Sequence, residues 1–210
     1  MHNNQPNLIF IHGSGQSKLS YNFLQIFLPE HNCLCLEYSA GEEVESILKR
    51  FKFTADQEFD GEAVNIVAHS YGCLLGSLFS AEYKNVDNFI ALSSPWGGSR
   101  SAKWLALVFR QSMLFKNTQP GSPLLKQISQ THLDFPINNI VSTGTGSSGN
   151  ALAGMGAPND GLLTVETQKQ VPDTFTNVNT IELALSHNEL LFSMEVVEII
   201  KDMFFEETND

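Results

Sequence analysis

Short apolar runs alternate with longer amphipathic stretches along most of the chain. The runs are Asn7–Ile11, Cys33–Tyr38, Ala63–Ala68, Val86–Leu92, Ile137–Ser142 and Val178–Leu183, each short and bounded by turn-forming residues, and each predicts a buried strand. Between them, Ser17–Leu28, Gly41–Phe53 and Tyr71–Tyr83 have helical spacing, and Asn188–Phe205 reads as a closing amphipathic helix. Tyr21, Leu24 and Leu28 share one face of the first helix, and Pro29 ends it. The second has acids in its first turn and Lys49-Arg50 in its expected last turn, as the helix dipole favours. Strands alternating with helices predict an α/β fold: a minimal, mostly parallel sheet of about six strands with helices on both faces. No repeat or interdomain linker stands out, so 1–210 reads as a single domain.

Two segments depart from the alternation. Ser99–Phe115 is apolar on most sides (Trp104, Leu105, Val108 and Phe109 among others) and follows the fourth strand. It reads either as a helix packed on the sheet edge or as part of a small lid spanning 97–135. Thr143–Gly161 is rich in Gly and Ser and reads as a long loop, which in a compact domain tends to carry function. Within it, Gly144, Gly146 and Gly149 match a dinucleotide-binding fingerprint literally. That fingerprint needs a helix at once, and Asn150–Pro158 is a poor one, so no such cofactor is expected.

Composition narrows the partners. The chain has 210 residues, of which 42% are hydrophobic and 17% charged, a balance suited to one globular core. A net charge of −11 repels phosphate backbones and anionic membrane surfaces, which argues against nucleic acid as a partner. The polar start, Met1–Pro6, has no secretory-signal features, and no apolar run reaches membrane-spanning length; a cytoplasmic protein without stable membrane insertion is expected. Cys33, Cys35 and Cys73 form no C-x-x-C pair and read as buried reduced thiols; no metal site or cofactor is expected.

The candidate chemistry centres on Ala68-His69-Ser70-Tyr71-Gly72, where a strand meets a helix. A serine hydroxyl becomes a useful nucleophile when a sharp turn presents it bare to a base, and small flanking residues let that turn close. Alanine stands where this signature usually has glycine. Of six histidines, His187 follows the last strand, at the end of the sheet where loops converge, and is the expected base. His2, His31 and His132 lie elsewhere, and His12 and His69 are tied to the sheet. Asp160, in the loop after the fifth strand, completes the order Ser, Asp, His; an ordinary Asn-Asp-Gly turn is the competing reading. Glu166 is the reserve acid and Asp134 a weaker one. The Tyr71 amide and the Ser14 amide, in His12-Gly13-Ser14-Gly15, are the expected oxyanion donors.

With these pieces in order, the sequence resembles an α/β-hydrolase of the lipase and esterase group, and is similar to small bacterial lipases that have alanine before the His-Ser pair. Ser94-Pro95-Trp96-Gly97-Gly98 also resembles a segment of the lecithin:cholesterol acyltransferase relatives. The resemblance implies Ser70 as nucleophile, His187 as base, Asp160 as acid, and a lipid-like or acyl ester substrate, with Trp96 and Trp104 as substrate contacts. It departs from those lipases in lacking a visible export signal and a calcium-binding set. An acyltransferase with the same triad and a non-catalytic binding protein on this fold are the alternatives.

Overall fold

The structure, a computed structural model, describes residues 5–39, 41–99, 116–145 and 157–205. The apolar stretch containing Trp104, expected to be a helix or lid, lies outside the described residues, as does most of the Gly/Ser-rich loop.

Six strands form one sheet: β1 (Asn7–Ile11), β2 (Asn32–Leu36), β3 (Val64–His69), β4 (Val86–Leu92), β5 (Ile137–Ser142) and β6 (Val178–Leu183). Their order is β2-β1-β3-β4-β5-β6 and every pairing is parallel, with Ile9 opposite Ile66 and Ala68 opposite Ala91. All residues of β1 and β3 are buried, because helices cover both faces and leave no side that polar residues could present to water. The outer strands β2 and β6 are only partly covered. From β1 the chain steps outward to β2, then crosses to β3 on the other side of β1. The ends of β1 and β3 therefore diverge into different loops, and the gap between them is the natural crevice of such a sheet.

Alternate strand residues feed two cores. Ile9, Ile11, Ile66, Ala68, Phe89, Ala91 and Ile137 face α2 (Val44–Phe59), α3 (Tyr71–Glu82) and α4 (Pro123–Gln130). Leu8, Phe10, Val67, Ile90, Leu92 and Ile140 face α1 (Asn22–Phe27) and α6 (Met194–Phe204). A fifth short helix, α5 (Val165–Lys169), precedes β6.

Several elements differ from the sequence expectation. The first predicted helix is a 3-10 turn at Lys18–Tyr21 followed by α1, which stops at Phe27. Helix α2 runs to Phe59, six residues beyond the expected Phe53, so its last turn holds no basic residue. Burial of Ala55 and Phe59 prolongs it, and Asp60 and Gly61 end it with φ of 48° and 77°. The closing helix is likewise split: a 3-10 turn at Glu189–Phe192 precedes α6, and Ser193 caps the restart by accepting from the Glu195 amide at 3.1 Å. Helix α4, within the expected lid segment, begins with Ser122 as cap and Pro123 in the first turn, and buries Leu124, Leu125 and Ile128 in the core. The thiols need correction too. Cys73 is buried, but Cys33 is exposed and Cys35 only half-buried, because they sit on an outer strand. Among the described residues, no helix is long and apolar enough to cross a membrane.

Candidate active site

Ser70 sits between β3 and α3 with φ 53° and ψ −125°, a backbone state that non-glycine residues rarely adopt. Its amide donates to Leu92 O at 2.8 Å, which locks the turn to β4. Gly72 explains the small residue after the serine: a Cβ there would lie 2.4 Å from Ile11 O and 2.5 Å from His12 O. Helix α3 can pass under the end of β1 only with nothing at that position. Ala68, where glycine is usual, is fully buried between β1 and β4, so its methyl is accommodated.

The Ser70 hydroxyl lies 3.0 Å from His187 Nε2, and His187 Nδ1 lies 2.7 Å from Asp160 Oδ2. A carboxylate can only accept, so Nδ1 carries the proton and Nε2 faces Ser70 with its lone pair. The His187 amide also donates to Asp160 O at 2.9 Å, so backbone and side chains tie these two turns together. His187 is 5% exposed and Asp160 1%. Ser70 remains half-buried and open to a reactant.

Asp160 uses one oxygen for its own turn and the other for His187. Oδ1 accepts from the Leu162 and Leu163 amides at 2.9 and 2.7 Å, the local turn. Oδ2 accepts from His187, from Ser142 Oγ at 2.6 Å and from Gln168 Nε2 at 3.1 Å. Burial alone would push this carboxyl up. The hydrogen bond and charge of His187, with those of Ser142 and the Leu163 amide, outweigh it and hold Asp160 below the usual carboxylate range. Ser142 and Gln168 escaped the sequence reading. Ser142 ends an apolar strand, a weak signal for an inward hydroxyl; Gln168 lies in a polar stretch and nothing local marks it as buried. The reserve acids are elsewhere: Glu166 is exposed and pairs with Gln170, and Asp134 is exposed.

The turn after β1 stands against Ser70: a Cβ on Gly13 would lie 3.2 Å from Ser70 Cβ. His12 Nδ1–H donates to Gly13 O at 2.8 Å, while its Nε2 accepts from the Tyr38 amide at 3.3 Å. The Ser14 amide has no partner among the described residues. Tyr71 opens α3, so its amide has no partner within the helix. His69 lies beside His187, with ring centroids 4.8 Å apart, and burial, reinforced by His187, holds its pKa down to about 3. A neutral His69 places no positive charge next to His187.

Trp96, expected to contact substrate, is 5% exposed; its Nε1–H donates to Asn139 Oδ1 at 3.0 Å and its ring packs edge-on against Phe175. That position makes it part of the core under α5. Leu19 and Phe192, at 65% and 61% exposure, are among the exposed large apolar side chains, and Phe192 packs against Phe23.

No protein-family model matches the sequence, and no curated protein matches it. Solved structures do. The lipase BlEst2 of Bacillus licheniformis superposes with a TM-score of 0.71 at 17% identity, over 96% of this chain and 93% of that one. The lin2722 gene product of Listeria innocua gives 0.66 at 13% identity, over 99% and 96%. The chain has the α/β-hydrolase fold. An epoxide hydrolase of Bacillus megaterium also matches, with a TM-score of 0.63 at 12% identity over 94% of this chain and 93% of that one. The names within this α/β-hydrolase group therefore span different bond types, and the fold leaves the choice of bond to the site's own residues.

Proposed function

We propose that the protein is a serine hydrolase that cleaves carboxylic esters, with Ser70 as nucleophile, His187 as base and Asp160 as acid. The carrying observation is the hydrogen-bonded chain from Ser70 Oγ through His187 to Asp160 Oδ2, at 3.0 and 2.7 Å. His187 Nε2 takes the Ser70 proton as Oγ bonds to the ester carbonyl, and the carbonyl oxygen becomes an oxyanion held by the Ser14 and Tyr71 amides. Collapse breaks the bond to the alcohol, which leaves with the proton from His187. Water then attacks the acyl-enzyme, again giving its proton to His187, and the acid is released as Ser70 is restored. Asp160 stays ionised throughout, holding the ring tautomer and stabilising the imidazolium.

A fluorophosphonate probe tests this reading. Wild-type protein is expected to label at Ser70 and Ser70→Ala is expected not to. Unlabelled wild type, or equal labelling of both, sinks it. If acyl groups pass to added alcohols in preference to water, the same triad serves acyl transfer.

A further inference from the structure

One side chain joins three of the four turns that carry the proposed chemistry. Gln16 Oε1 accepts from the Gly13 amide at 2.9 Å, and the Gln16 amide donates back to Gly13 O at 3.3 Å, closing the turn after β1 at both ends. Gln16 Nε2 donates to Asn188 Oδ1 at 3.1 Å, on the residue after the base. His69 Nδ1, on the residue before the nucleophile, lies 3.0 Å from Gln16 Oε1, and the opposite nitrogen of that ring lies 2.9 Å from His187 O. A neutral ring has a single N–H, so His69 donates to only one of these two oxygens at a time.

We propose that Gln16 is a positioning residue that fixes the oxyanion turn over Ser70; this rests on the serine-hydrolase reading above. The turn holds two glycines, Gly13 and Gly15, the second with φ 70°, so its backbone has more freedom than an oxyanion donor can tolerate. Gln16 removes that freedom in two ways. It occupies the Gly13 amide, so the next amide, that of Ser14, is the one without a partner among the described residues. It also ties the turn to Asn188, so donor and base keep a fixed separation while charge develops. Fixed donors assist a transition state because they need no reorganisation as it forms. Any Cβ on Gly13 would meet Gln16 Oε1 and His69 Nδ1 at 2.8 Å, so the packing at this point depends on glycine as well as on the amide.

The test compares Gln16→Met, which keeps the length of the side chain without its polar atoms, with wild type on p-nitrophenyl butyrate. The expected result is a fall in kcat of roughly 10- to 100-fold, smaller than the roughly 10²–10³ that loss of an oxyanion donor costs. KM should change by less than about two-fold, since ground-state binding does not use the oxyanion donors. Affinity for an aryl boronic acid, whose tetrahedral adduct with Ser70 places an oxygen at the oxyanion position, should weaken by the same factor as kcat. Asn188→Ala, which breaks only the tether to the base turn, should give a smaller loss of the same kind and serves if Gln16→Met does not fold. Unchanged kcat and boronate affinity in protein that labels with fluorophosphonate would overturn the role of Gln16 alone. Wild type that does not label would overturn both readings.

Discussion

Ser70 and Ser93 end adjacent strands of the same sheet, and both have a positive φ, 53° and 48°. Each donates its amide to the next strand, Ser70 to Leu92 O at 2.8 Å and Ser93 to Ile140 O at 2.9 Å. Their hydroxyls part company. Ser70 is half-buried and faces His187; Ser93 is fully buried and bonds to Ser142 Oγ. Ser142 has a single proton and gives it to Asp160, so Ser93 is the donor to Ser142, and the two hydroxyls form a relay that ends on the carboxylate. Strain is thus a property of how this sheet ends, shared by both serines. Chemistry comes from what each hydroxyl meets and whether a reactant can reach it.

The largest expected effect separates the two serines directly. Ser70→Ala should lower ester hydrolysis by roughly 10⁴–10⁶-fold and abolish fluorophosphonate labelling, whereas Ser93→Ala should still label. If Ser93→Ala loses the label and Ser70→Ala keeps it, the assignment of roles is reversed. Next, Asp160→Asn should cost about 10⁴ in kcat by upsetting the tautomer of His187, while Glu166→Gln should stay near wild type. Wild-type activity in Asp160→Asn would move the acid elsewhere.

Stability changes are smaller and test the turn itself. Gly72→Ala forces a methyl against Ile11 O and His12 O and should destabilise by about 1–3 kcal/mol in urea unfolding; an unchanged midpoint would mean that α3 can shift away from β1. Ser93→Ala keeps the strained backbone and loses the buried hydrogen bond, for about 1–2 kcal/mol, whereas Ser93→Gly loses the bond but relieves the strain. Alanine no worse than glycine would show that Ser93 carries no strain.

The pH dependence sharpens the role of the relay's end. Asp160 has its carboxyl depressed in the fold, so it contributes stability above its unfolded value, near pH 4, and loses that contribution as pH falls through its lower folded value. The gap in Tm between wild type and Asp160→Asn should therefore narrow as the pH drops from 6 towards 3. A gap independent of pH would show that Asp160 is not held ionised by His187 and Ser142.

Strand positions were legible because a central parallel strand is largely apolar on both faces, as Leu8–Ile11 and Ile66–Ala68 are. The hydrogen-bonded assembly of Ser70, Asp160 and His187 was legible because each sits in a short turn whose residue types are locally unusual. Gln168, Ser142 and Gln16 were not, since an ordinary polar side chain gains its meaning only from partners far along the chain. Nor was the exposure of Cys33 and Cys35, because an apolar run does not reveal whether its strand lies at the centre or the edge. The same holds for the length of α2, which propensity alone leaves open and which burial of Ala55 and Phe59 extends.

By itself, then, the order of residues determined the alternation of strands and helices, and the three turns that end up together. Those are consequences of side-chain period and local backbone freedom. The tertiary structure decided which oxygen of Asp160 serves the turn and which serves His187, why one strained serine is half-exposed and its neighbour is buried, and which amide after β1 has no partner among the described residues. Each of these depends on distances between residues remote in sequence, which only the packed sheet sets.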